Sequence, residues 1–119
     1  MSTPEERLAG LGRVLPPVVA PVAAYVPAVR TGQLVYTSGQ LPLVDGKLGI
    51  TGKVGAEVLA EDAKELAALC ALNALAAVKA EVGELAAVAR VVKVLGFVPC
   101  VNQLAVKTTV WVPGVSAVG

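Results

Sequence analysis

Three consecutive residues at the end of an apolar run carry much of the chemistry this chain can offer. In VYTSGQLPL (Val35–Leu43), alternating apolar residues lead into Ser38, Gly39 and Gln40, and Pro42 stops the run. Together they present a hydroxyl, an unshielded stretch of backbone and an amide. Such a set suits a small molecule lying against the main chain, because glycine lets a ligand approach closely. The 119 residues contain no histidine, which removes imidazole bases, Ser/His triads and nearly every zinc site. Any reaction must run on carboxylates, arginine, hydroxyls, backbone groups or bound water. Neither a metal nor a cofactor is expected.

Composition narrows the classes further. Hydrophobic residues make up 55% and mean hydropathy is +0.72, which excludes disorder. The longest uncharged stretch near the start, VLPPVVAPVAAYVPAV, carries Pro16, Pro17, Pro21 and Pro27. Four missing amide donors rule out a membrane-spanning helix. MSTPEERLAGLGR mixes Glu5 and Glu6 with arginines and does not read as a secretory signal. A cytoplasmic protein is therefore expected, with Cys70 and Cys100 as buried thiols and not a disulfide. A net charge of +1 and 3% aromatics give neither a basic stripe nor a stacking platform for nucleic acid.

The elements that must position Ser38–Gln40 follow from pattern, within a single domain over residues 1–119. Ser2, Thr3 and Pro4 start a short polar helix or arm. The proline-punctuated segment to Pro27 is extended chain. AVRTGQLVYTSGQL predicts two strands split at Thr31-Gly32, and Asp45-Gly46 marks a second hairpin. ITGKVG is a loop. A long helix is predicted from Glu57 to about Val82, with acids crowding its first half and Gly83 ending it. Leu66, Leu69, Cys70, Asn73, Ala76, Ala77 and Ala80 share one face of it. The alanines let that face approach a sheet closely, and Leu72, Leu75, Val78 and Val82 form a second apolar side. Asn73, amid the apolar face, reads as a buried amide satisfying a loop backbone, with direct ligand contact as the alternative. LAAVARVVKVLGFV after Glu84 predicts a strand closed by Pro99. Leu104–Val112 is a further β-rich run before Pro113-Gly114.

In this order the blocks resemble the RidA/YjgF family, the trimeric enamine/imine deaminases, whose fold is similar to that of Bacillus-type chorismate mutase. The carriers are Tyr25, AVRTG (Ala28–Gly32), LVYTSGQLPL (Leu34–Leu43), TGKVG (Thr51–Gly55), ALNALAAVKA (Ala71–Ala80) and VVKVLGFV (Val91–Val98). The last three point to the chorismate-mutase-like branch, and the resemblance covers roughly residues 8–98. It implies an α/β (α+β) fold, a sheet with a long helix packed on one face. Family members continue with a second long helix and two closing strands, bearing an arginine for the substrate carboxylate and a glutamate for the hydrolytic water. Here no arginine follows Arg90 and no acid follows Glu84. Residues 99–119 therefore read as an atypical tail without those elements, either an authentic variant or a spliced, frameshifted or truncated end, and the catalytic residues are unassigned.

What the resemblance implies for function is hydrolysis of reactive enamines or imines, of the 2-aminoacrylate type, to 2-oxo acids and ammonia. The resemblance also implies that the site is a cleft between subunits of a homotrimer. Carried over, Ser38 and Gly39 line that cleft and Tyr25 closes one side, around a small 2-imino or 2-oxo acid. The purely structural alternative has Thr37–Gln40 ending a strand and Tyr25 packing on the sheet. Arg30 is the one nearby cation for a carboxylate, and its place before a hairpin points it to solvent. Two other functions stand beside the deaminase: a non-catalytic member that binds small metabolites or partners, and an endoribonuclease-like member.

Overall fold

A computed structural model of the chain describes residues 2–20, 23–101 and 104–110, the last seven as backbone only. Helix α1 (Pro4–Gly10) begins at a reciprocal cap. The Thr3 hydroxyl accepts from the Glu6 amide at 3.1 Å, and the Glu6 carboxylate accepts from the Thr3 amide at 2.8 Å. Two starting donors are thereby satisfied. Two surface ion pairs tie this arm to the long helix: Glu5 to Lys79 at 3.1 Å and Arg13 to Glu65 at 2.9 Å.

Strands β1 (Ala28–Thr31) and β2 (Leu34–Thr37) form an antiparallel hairpin in the register Ala28↔Thr37 to Thr31↔Leu34. Its two-residue turn is Gly32-Gln33, one position beyond the Thr31-Gly32 split expected from sequence, because Thr31 still pairs as the last residue of β1. Strands β3 (Leu43–Val44) and β4 (Lys47–Leu48) flank Asp45-Gly46. Both turn residues have positive φ, 51° and 77°, as a type I′ turn requires.

Helix α2 runs from Ala60 to Val82, three residues shorter at its start than the predicted span from Glu57. Residues 53–58 spend their hydrogen bonds on a turn of their own. The Gly55 amide donates to the Val58 carbonyl at 2.9 Å, and the Val58 amide donates to the Lys53 carbonyl at 3.2 Å. Val58 is buried. The Glu57 carboxylate turns back to accept the Lys53 amide at 2.8 Å. That bond, then its own amide, lowers the Glu57 pKa. A carboxylate whose folded pKa lies below its unfolded one stabilises the fold above the unfolded value and loses that contribution as pH falls through the folded one.

The same turn fixes a glycine. At Gly52, with φ of 136°, an added Cβ would sit 2.5 Å from the Glu57 Cβ and 2.7 Å from its Oε2. Gly52→Ala is expected to destabilise the chain by about 1–3 kcal/mol through strain and displacement of Glu57. A urea melt with the same slope as the parent and an unshifted midpoint would contradict this.

One face of α2 covers β1, β2 and β3. Asn73, Ala76 and Ala77 are buried there, along with Ala28 and Leu43 from the strands. Leu66, Leu69 and Cys70 are only half covered, and Ala80 is exposed. Cys70 and Cys100 are both free and half-buried, and burial pushes the Cys70 thiol pKa up. Past Gly83, Leu85–Ala87 form a 3-10 turn with Leu85 buried, and strand β5 starts only at Lys93 and runs to Pro99. The predicted strand from Leu85 is therefore shortened. Two alanines are weak strand formers, and burying Leu85 beside α1 and α2 favours the turn. Strand β6 (Leu104–Val110) pairs antiparallel with β5 from Lys93↔Val110 to Pro99↔Leu104. Residues 111–114 of the expected final run and turn lie outside the described residues, as does Pro21.

The mixed α/β architecture thus combines, among the described residues, two helices with short antiparallel hairpins. Among the described residues no helix is long and apolar enough to cross a membrane.

Candidate functional site

The end of β2 is held by its neighbours before it can hold anything else. The Ser38 amide and hydroxyl both donate to the Pro27 carbonyl, at 2.9 and 3.2 Å. This ties the strand end to the chain leading from Tyr25. Gln40 folds back, its side-chain amide donating to the Ser38 carbonyl at 3.4 Å. Beyond Pro42 the Leu43 amide donates to the Leu41 carbonyl at 2.8 Å, a three-residue turn centred on proline. Asn73, fully buried on α2, closes the arrangement from behind. Its Nδ2 donates to the Leu41 carbonyl at 3.0 Å and to the Leu43 carbonyl at 3.2 Å. The sequence reading of Asn73 as a buried amide serving a loop backbone describes its bonds.

These segments enclose a small cavity of about 20 Å³, room for about one water molecule. Tyr25, Ser38 and Gly39, the three residues selected from sequence, all line it. Gln40, Leu41 and Leu43 complete one wall, and Val19 and Ala20 of the proline-rich segment form another. Tyr25 remains 43% exposed, so it borders the cavity without being buried in a core. Gln40, whose amide stands beside Ser38 and Gly39 in the sequence reading but which the family resemblance did not carry over as a site residue, lines the cavity as well. The contribution of residues 19–20 had no signal, since their approach depends on how the proline-rich segment folds back.

Gly39 is informative for what does not surround it. Its φ is outside the left-handed region, and a Cβ added there would meet no atom within 4 Å. Positive φ, one sequence-level reason for a glycine, does not apply. Nothing in the described chain excludes a Cβ at this position.

No charged side chain borders the cavity among the described residues. Arg30 is exposed and its Nε donates to the Gly32 carbonyl at 3.2 Å, so it caps its own turn and does not line the cavity. A second, more open groove of about 260 Å³ lies between α1 and α2, lined by Leu8, Leu11, Leu75 and Leu85 with Arg7 at its border. It is larger, but it lacks the convergence of hydroxyl, amide and open backbone found around Gly39.

The family model "YjgF/chorismate mutase-like, putative endoribonuclease" matches residues 5–118, and so extends over the tail beyond residue 98. Among solved structures, a "putative endoribonuclease" of Shewanella oneidensis MR-1 is 36% identical with a TM-score of 0.72, and the match covers 79% of this chain and 64% of that one. A protein of unknown function from Agrobacterium tumefaciens is 46% identical with a TM-score of 0.66, covering 74% of this chain and 54% of that one. The chain thus spans under two thirds of the length of either structure. No curated protein matches it.

Proposed function

Because the chain belongs to the YjgF/chorismate-mutase-like family, we propose that it acts on a small 2-imino or 2-oxo acid at the Tyr25–Ser38–Gly39 cavity, hydrolysing reactive enamines or imines. The observation that carries the reading is the convergence of those three residues on one opening, with unfilled space over Gly39. A flat, planar imine can lie against the Gly39 backbone. The Ser38 hydroxyl, already donating to Pro27, keeps lone pairs free to accept from the substrate nitrogen. Tyr25 supplies an apolar face with a polar tip.

The reaction asks little of the site. Water adds to the imine carbon, a proton passes to nitrogen, the carbon–nitrogen bond breaks and ammonia leaves with a 2-oxo acid behind. Orienting the substrate and one water supplies most of what such a step needs. A cavity for about one water on a single chain is too small for the acid itself, so a second copy is needed to enclose it. Exposed apolar residues support such an assembly. Val29 and Tyr36, cross-strand partners on the hairpin face away from α2, are exposed, as is Phe97 on β5, and such surface marks contact sites. A homotrimer should run at three times the 12.0 kDa chain mass in light scattering.

The absence of a charged group around the cavity among the described residues favours a second reading, binding without turnover. A carboxylate is held best by a paired arginine, and among the described residues none lines the cavity. The endoribonuclease reading would likewise need a cation for phosphate.

One experiment separates these. Threonine and a threonine dehydratase release 2-iminobutanoate, and 2-oxobutanoate formation is followed with and without the protein. Several-fold acceleration at stoichiometric protein supports the deaminase. No acceleration, with 2-oxobutanoate binding seen by calorimetry, supports the binding member. Neither, with RNA cleavage that survives further purification, would replace both.

A further inference from the structure

We infer that Asn73, which does not itself line the cavity, is the positioning residue for its wall; this rests on reading the cavity as a binding site. The Leu41 carbonyl accepts twice, from the Leu43 amide at 2.8 Å and from Asn73 Nδ2 at 3.0 Å. The Leu43 carbonyl accepts from the same Nδ2 at 3.2 Å. One side-chain nitrogen therefore clamps both ends of the turn around Pro42. Leu41 and Leu43 line the cavity directly, and Gln40, the residue before the turn, contributes the wall's polar group.

Proline removes the amide that could otherwise have anchored the turn's centre, so the turn depends on bonds brought from elsewhere. Asn73 is the one side chain that is both polar and buried among the described residues, and its Oδ1 has no partner. An unpartnered buried acceptor is unfavourable. A residue serving packing alone would be better replaced by an apolar one. Its amide hydrogens are what the position requires.

The test compares Asn73→Ser, too short to reach the turn, with Ala76→Gly, which loosens the same buried face one turn on and leaves the Asn73 amide and its two bonds in place. In Asn73→Ser the Leu43 amide should exchange with solvent roughly tenfold faster than in the parent. The Gln40 and Leu41 amide resonances should move, and the Kd for 2-oxobutanoate should rise at least about fivefold. Ala76→Gly should leave all three near the parent values even where its melting temperature falls as far. Equal responses in both variants would reduce Asn73 to a packing residue. Failure of the parent to bind 2-oxobutanoate counts against the proposed function alone, because exchange and resonance shifts still decide the positioning role. If Asn73→Ser does not fold, the parent decides: Asn73 side-chain amide protons exchanging as fast as those of a free asparagine would overturn the inference.

Discussion

Asn73→Asp is expected to destabilise the protein by about 3 kcal/mol or more at neutral pH, because it puts an acceptor where two donated bonds are needed. The Leu41 carbonyl would keep its bond from the Leu43 amide, but the Leu43 carbonyl loses the partner that Asn73 provides. The new carboxylate would face both carbonyls in a site with no solvent exposure. Burial and facing carbonyls both raise its folded pKa above the unfolded value. A carboxyl group with a raised folded pKa is protonated more readily when folded, so its destabilising effect is smallest below the unfolded pKa and grows as pH rises toward the folded one. Protonated, it can also donate to one of the two carbonyls. The gap between variant and parent urea midpoints should therefore narrow from pH 7 to pH 4.5. A gap that is small at pH 7, or that widens on acidification, would show that the donor role of Asn73 is misassigned.

Much of this arrangement was legible because it rests on local periodicity. The Asp45-Gly46 turn, the 28–37 hairpin, the helical stop at Gly83 and the apolar stripe through Asn73 and Ala77 each depend on a few neighbouring residues. Their competing structures are poor. Tyr25, Ser38 and Gly39 were selected through resemblance, and their convergence needs only that the hairpin end meet the chain that enters it. Boundaries set by long-range burial were not legible. Glu57 has the helix-start chemistry that Leu59, the actual N-cap, lacks. Yet Val58 is drawn into the interior and Glu57 is recruited by Lys53, which delays the helix. In the same way Leu85 fills a space beneath α1 and α2, so the β-rich run after it begins late. Leu104–Val110 illustrates a third limit. Its strand character was plain, but its partner, β5, is a matter of topology that no residue pattern encodes.

The largest functional effect should come from Gly39→Val, through a dissociation between stability and binding. A Cβ at residue 39 would meet nothing within 4 Å and needs no unusual backbone angle. The urea midpoint should therefore stay within about 0.5 kcal/mol of the parent, as for an unremarkable surface change. Losing glycine's freedom in the unfolded chain would, if anything, favour the fold. The branched methyl groups would occupy the space above the backbone where the substrate is proposed to lie. Affinity for 2-oxobutanoate should then fall at least about tenfold, equivalent to roughly 1.4 kcal/mol, with any imine hydrolysis falling alongside. The contrast matters more than either value. A glycine that serves a turn or a tight internal contact loses stability on substitution, as expected at Gly52. One that serves a visitor loses only the visitor. If Gly39→Val melts early and binds normally, the open space over residue 39 belongs to folding or assembly, and the cavity beside Tyr25 is not where the small acid binds.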